Sequence, residues 1–128
     1  MIYQGGCLCG AVRYAVDGPL RPVLYCHCRQ CRRITGHYLA ATAVDRADFS
    51  LHGEVRWYAV TENARYGFCP ACGSLLFWSH QQRPQISILP GSLDDDPPLQ
   101  VAAHIYVSEK PNYYHLCDNL PAYPAAVE

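Results

Sequence analysis

Three cysteines, Cys26, Cys28 and Cys31, fall within the short stretch YCHCRQCRR, with arginines among and after them. Three sulfurs cannot close two disulfides, and thiols this close are better placed to share a metal ion. The other cysteines are Cys7 and Cys9 as C-x-C, Cys69 and Cys72 as C-x-x-C, and a single Cys117. The most specific piece is CPACG at 69–73. It has the form of a zinc knuckle, in which two thiolates face one ion across a tight turn. Backbone N–H groups of the turn can donate to the sulfurs, and Gly73 tolerates a positive φ. One knuckle is half of a tetrahedral site, so a second pair must come from elsewhere in the chain.

Two pairs compete for that place. Residues i and i+2 of an extended segment point to the same side, which suits Cys7 with Cys9 and equally Cys26 with Cys28. Cys31, a helical turn's reach further on, adds a third sulfur to the latter. If Cys7 and Cys9 join Cys69 and Cys72, a four-thiolate structural site closes. Cys26, Cys28 and Cys31 then form a three-ligand set with an open fourth position, which is how a catalytic zinc is built. The blander alternative makes all seven cysteines structural, with water or a histidine completing the second site. A disulfide scaffold fits poorly, because the start MIYQGGCLCG lacks the basic-then-apolar pattern of a secretory leader. Cys117 alone reads as a small buried apolar residue.

These sulfurs need a rigid frame. With 128 residues, half of them apolar, the chain is expected to form one domain over 1–128 with a substantial core. Short alternating or β-branched runs dominate, at 11–16, 22–26, 38–44, 54–60, 75–79, 85–89 and 102–107, with turn residues between them. Such spacing predicts an all-β domain of packed short antiparallel sheets. Val12, Tyr14 and Val16 share one face of the first run. Only RQCRRITG reads as helical, with Gly36 as its stop. The tail KPNYYHLCDNLPAYP reads as irregular. Formal net charge is −1 with no basic block, which argues against a nucleic-acid backbone or an anionic membrane as partner. No run approaches the ~18 apolar residues of a membrane span. The expectation is a soluble cytoplasmic protein.

The elements GGCLCGAVRY, CHCRQCRRITG, RYGFCPACGSLLF, GSLDDD and HIYVSEK occur in an order that resembles the glutathione-dependent formaldehyde-activating enzyme family, which also includes centromere protein V. The resemblance runs from Gly5 to about Pro121. It implies an all-β core and two zinc ions per chain, one structural on Cys7, Cys9, Cys69 and Cys72, one catalytic on Cys26, Cys28 and Cys31. It also implies a reaction joining formaldehyde to glutathione as S-hydroxymethylglutathione, a carbon–sulfur lyase reaction read backwards. Two departures bear on the ligand pocket. His37 and Tyr38 follow Gly36 where the family commonly has small residues, and Tyr113 and Tyr114 stand where a tryptophan is usual.

Around the three-cysteine set, Arg29, Arg32 and Arg33 can offset the formal −1 of a zinc with three thiolates, or clamp a substrate carboxylate. A solvated helix face is the equal alternative for each. His37 follows the loop leaving Cys31 and is a candidate for acid–base work or a fourth ligand. Alternation turns the ring of His27 away from the metal, where it can support the ligands from behind, and a half-exposed surface histidine is its simpler reading. Asp94, Asp95 and Asp96 read as turn residues. The function these residues suggest is zinc-assisted addition of a small thiol such as glutathione to an aldehyde. The alternative is a zinc-stapled module that captures a thiol without turnover.

Overall fold

The structure, a computed structural model, describes residues 2–126. Its strands are β1 (Ile2–Gly6), β2 (Arg13–Asp17), β3 (Val23–Cys26), β4 (Leu39–Asp45), β5 (Phe49–His52), β6 (Arg56–Ala59), β7 (Ala64–Phe68), β8 (Leu75–His80), β9 (Gln85–Ile88) and β10 (Val101–Ile105). One α-helix, α1 (Arg29–Thr35), follows β3. The protein is therefore mostly strand with one short helix, as the patterning predicts. Its residues group into two compact units, one of residues 2–21 with Thr42–Pro98, the other of Pro22–Ala41 with residues 99–126.

In the first unit β1, β2 and β5 form an antiparallel sheet, with Gly5 opposite Tyr14 and Tyr14 opposite Leu51. Residues 42–45 of β4 pair with β9, and β8, β7 and β6 follow in antiparallel order. Val12, Tyr14 and Val16 are all buried, as their spacing requires, and they pack with Val44, Leu76, Phe77, Ile86 and Ile88. Tyr14 meets Phe77 edge-on at 5.3 Å between ring centres. Its hydroxyl lies 2.6 Å from Ser92 Oγ. Because Ser92 donates its own hydrogen to the Leu89 carbonyl, Tyr14 is the donor to Ser92. Asp94 does more than shape a turn, since its carboxylate takes the Arg13 guanidinium.

In the second unit β3 pairs antiparallel with residues 39–41, and α1 occupies the connection between them. Gly36 ends α1 in the left-handed region at φ 86°, its N–H returning to the Arg32 carbonyl at 2.8 Å. Arg32 and Arg33 in the last turn complement the negative end of the helix. β10 runs parallel to β3, with Ile105 opposite Cys26, a departure from the purely antiparallel expectation. The two strands are distant in sequence, so no tight hairpin dictates their direction. The tail is irregular but tied down. The His104 N–H donates to the Pro121 carbonyl and the Tyr123 N–H to the His104 carbonyl, both at 2.9 Å, covering the free edge of β10.

Candidate functional site

The first unit gathers Cys7, Cys9, Cys69 and Cys72, with all four sulfurs within 4.8 Å of one another. Cys7 follows β1 directly, and Cys69 and Cys72 sit in the turn between β7 and β8. The local backbone dictates where the sulfurs point. The Cys7 N–H donates to the Val12 carbonyl at 3.1 Å, the Gly10 N–H to the Cys7 carbonyl at 3.2 Å and the Gly73 N–H to the Cys69 carbonyl at 2.8 Å. Further N–H groups donate to sulfur, from Val12 to Cys7 at 3.2 Å and from Ala71 to Cys69 at 3.4 Å. Leu8 N–H donates to Ser74 Oγ, which leaves the Ser74 hydrogen for Cys72 at 3.1 Å. That hydroxyl, ahead of the Ser74 and Cys9 backbone N–H groups, pulls the Cys72 thiol down to about 5.

This donor set fits a zinc ion. Four thiolates at about 2.3 Å in a tetrahedron place neighbouring sulfurs about 3.8 Å apart. Cys7 to Cys9 is 3.7 Å and Cys9 to Cys69 is 3.8 Å.

The second unit brings Cys26, Cys28 and Cys31 together, again with sulfurs within 4.8 Å of one another. β3 delivers Cys26, Cys28 caps α1 and Cys31 lies on the buried face of its first turn. The Cys31 N–H donates to Cys28 Sγ at 3.3 Å. Hydrogen bonds from Cys26 and then Cys31 pull the Cys28 thiol down to about 2, while Cys28 pushes Cys26 upward. Among the described residues, three protein donors make up this group and His37 is not one of them. A tetrahedral ion held here has one position for an exogenous ligand.

Rings from α1's exit and the tail pack around His27, which lies between Cys26 and Cys28 in the chain. Tyr38 lies 4.9 Å from His27 and 4.7 Å from Tyr25, and His37 lies 4.7 Å from Tyr114, ring centre to ring centre. His37 Nδ1 is hydrogen-bonded to the Tyr113 hydroxyl. Lys110 reaches over the Tyr114 ring at 4.7 Å and donates to the carbonyls of Pro111 and Tyr114, fixing that part of the tail. Arg29 and Arg33 are exposed and Arg32 is half-buried.

The sequence profile described as "Glutathione-dependent formaldehyde-activating enzyme" matches residues 2–109. The chain belongs to the glutathione-dependent formaldehyde-activating enzyme family. It is similar to a Halomonas elongata protein named "Putative glutathione-dependent formaldehyde-activating enzyme", at 27% identity over 91% of this chain and 82% of that one. It is also similar to an uncharacterized lyase of Schizosaccharomyces pombe, at 28% identity over 61% of this chain and 58% of the relative's length. A crystal structure of a Rhodobacter sphaeroides protein shares the fold, with a TM-score of 0.59 and 24% identity, covering 74% of this chain and 91% of that one.

Within this family framework, two single-residue expectations change. His27 is fully buried rather than half-exposed at the surface, because β10 and the tail close over it. Burial, and then the neighbouring His104, pushes it down to about 4, so it is neutral at physiological pH. Cys117 is exposed, since its segment of the tail runs over the surface. His104 and Asp118 join His27 and Tyr114 in one hydrogen-bonded run, and sequence reasoning missed these two. Their one signal is composition, a histidine in an apolar strand and an acid in a Tyr- and Pro-rich tail.

Proposed function

We propose that this protein is a zinc-dependent carbon–sulfur lyase that interconverts a small thiol and an aldehyde with their hemithioacetal adduct. Glutathione and formaldehyde are the leading pair, as the family's name and that of the Halomonas relative suggest. The observation that carries this reading is the three-sulfur group of Cys26, Cys28 and Cys31, which is one protein donor short of a closed tetrahedron. A zinc ion in such a site lowers the pKa of a thiol and polarises a carbonyl oxygen. Cys28 and Cys31 are held by α1 and Cys26 by β3, so the open direction is set by backbone rather than by mobile side chains. Arg29, Arg32 and Arg33 suit the carboxylates of glutathione, Arg as a bidentate partner. His37, Tyr38 and Tyr113 wall the approach and select for the size of the aldehyde. Holding thiol and carbonyl carbon side by side supplies much of the acceleration.

Calorimetry on reduced, zinc-loaded protein should show glutathione binding with release of about one proton, because a metal-coordinated thiol is deprotonated. Adduct formation with formaldehyde, followed by NMR, should exceed the uncatalysed rate, and Cys31→Ser should abolish the excess. Failure of glutathione, cysteine and coenzyme A alike to bind would exclude this function. Binding without acceleration would instead make the protein a thiol carrier.

A further inference from the structure

Two of the three reactive-site cysteines are followed by a peptide group that the stretch 105–109 anchors. The His27 N–H, directly after Cys26, donates to the Ile105 carbonyl at 3.0 Å. The Arg29 N–H, directly after Cys28, donates to a Glu109 carboxylate oxygen at 2.9 Å. The first anchor is backbone, and it continues the pairing in which Ile105 stands opposite Cys26. The second is a side chain that has crossed 80 positions of sequence to reach the start of α1.

The opening turn of α1 accounts for that side chain. A helix begins with N–H groups that have no carbonyl to meet. Cys28 Sγ takes the Cys31 N–H at 3.3 Å, and the Cys28 carbonyl takes the Arg32 N–H at 2.9 Å. The first turn contains no acid of its own to receive the Arg29 N–H. Glu109 receives it instead, and a carboxylate acceptor makes a stronger hydrogen bond than a neutral one. This N–H belongs to the peptide whose orientation is the ψ angle of Cys28, held at 162°. Fixing the N–H therefore fixes how the Cys28 side chain sits relative to α1 and Cys31.

Nothing else claims Glu109. Lys110, next in the chain, is turned to the carbonyls of Pro111 and Tyr114, and among the described residues no ion pair joins Glu109 to a cation. The turn that delivers it is strained. Tyr106 lies at φ 57°, ψ 37°, a left-handed conformation that bulky residues rarely adopt, between β10 and the short 3-10 turn Val107–Glu109. Such strain persists where the surroundings over-determine it. Here the Tyr106 N–H donates to the Ala125 carbonyl and the Glu109 N–H to the Tyr106 carbonyl, both at 3.1 Å.

We infer that Glu109 is a positioning residue of the three-cysteine metal site, aiming the Cys28 sulfur through the Arg29 N–H, an inference that rests on the two-zinc reading above. Its contribution is an acceptor at a fixed reach rather than a charge at the metal. With the 28–29 peptide already held, Cys28 meets an ion in its binding orientation, and no rotation has to be frozen when the ion arrives.

The test is zinc affinity, resolved by site, in full-length wild type, Glu109→Ala and Glu109→Gln, measured by competition with a chromophoric chelator. In Glu109→Ala the more weakly held zinc should bind about 10-fold less tightly, while the zinc on four cysteines binds as in the wild type. Glu109→Gln keeps an acceptor at the same reach and should bring the affinity back to within about 3-fold of wild type. Cobalt(II) placed in the weaker site should follow the same order, its thiolate-to-metal absorption altered in Glu109→Ala and restored in Glu109→Gln. Unchanged affinity in Glu109→Ala overturns the inference. Equal loss in the two variants does so too, because the carboxylate would then act by charge. Equal weakening of both zinc sites also overturns it, since the effect would be on the fold at large. A wild type that holds a single zinc removes the two-zinc reading and the inference with it, and the wild-type titration alone reveals that case.

Discussion

Gly73 sits at φ 79° beside the knuckle, and a Cβ built there meets nothing within 4 Å. Gly73→Ala therefore costs only the backbone strain of a left-handed L-residue, about 1–2 kcal/mol, read as a small drop in denaturation midpoint with zinc retained. Cys72→Ser is a different kind of change. It removes one of four sulfurs from a group that ties the end of β1 to the β7–β8 turn, and structural zinc contributes apparent binding energies of about 10–16 kcal/mol. Loss of cooperative folding is expected. Cys31→Ser removes a sulfur from the three-donor group, and a melt close to that of the wild type is expected. Equal destabilisation in the two melts would mean that the second group is structural as well.

At the level of elements, β2 is held to its surroundings by Tyr14, which is 2% exposed and hydrogen-bonded to Ser92. Burial pushes the phenol from 10.0 up to about 12. The raised value gives the sign. Its stabilisation is fully present below pH 10, where folded and unfolded chains are both protonated. It is lost as pH rises to about 12, because the unfolded chain ionises first. At 1.36 kcal/mol per pH unit the decline is on the order of 2–3 kcal/mol. Tyr14→Phe should cost about 1 kcal/mol at neutral pH through the lost hydrogen bond, and should flatten the alkaline decline. Denaturant midpoints collected between about pH 9 and pH 12 on both proteins measure the difference.

For the molecule as a whole, each compact unit carries its own sulfur group, and the two differ in closure. Freshly purified, reduced protein should contain close to two zinc ions per chain by elemental analysis. A mild chelator should remove one of them first, from the three-donor group, because an open site exchanges through its free position and a closed one does not. Native mass spectrometry during chelation should show a folded one-zinc species before any unfolded chain. One zinc or none at the outset would contradict the division into a structural and a reactive site. Among the described residues no helix is long and apolar enough to cross a membrane.

Much of this was legible along the chain because it is local. The i, i+2 spacing of Cys7 and Cys9, the C-P-A-C-G turn, the alternation of Val12, Tyr14 and Val16 and the Gly36 stop each follow from the geometry of a few consecutive residues. β1, β5 and β7 were not legible, since IYQGG, FSLH and ARYGF have weak patterns and become strands through the partners they meet. Spacing left open which cysteine pair completes the knuckle, and the choice was made by the burial that brings β1 and the β7–β8 turn together. The parallel pairing of β10 with β3 and the Tyr114–His27–His104–Asp118 chain were likewise invisible. Their members are scattered through the sequence with no period to join them. Local sterics set which way a side chain points along its own strand, whereas the identity of the group it meets depends on non-local packing, and that only the folded chain decides.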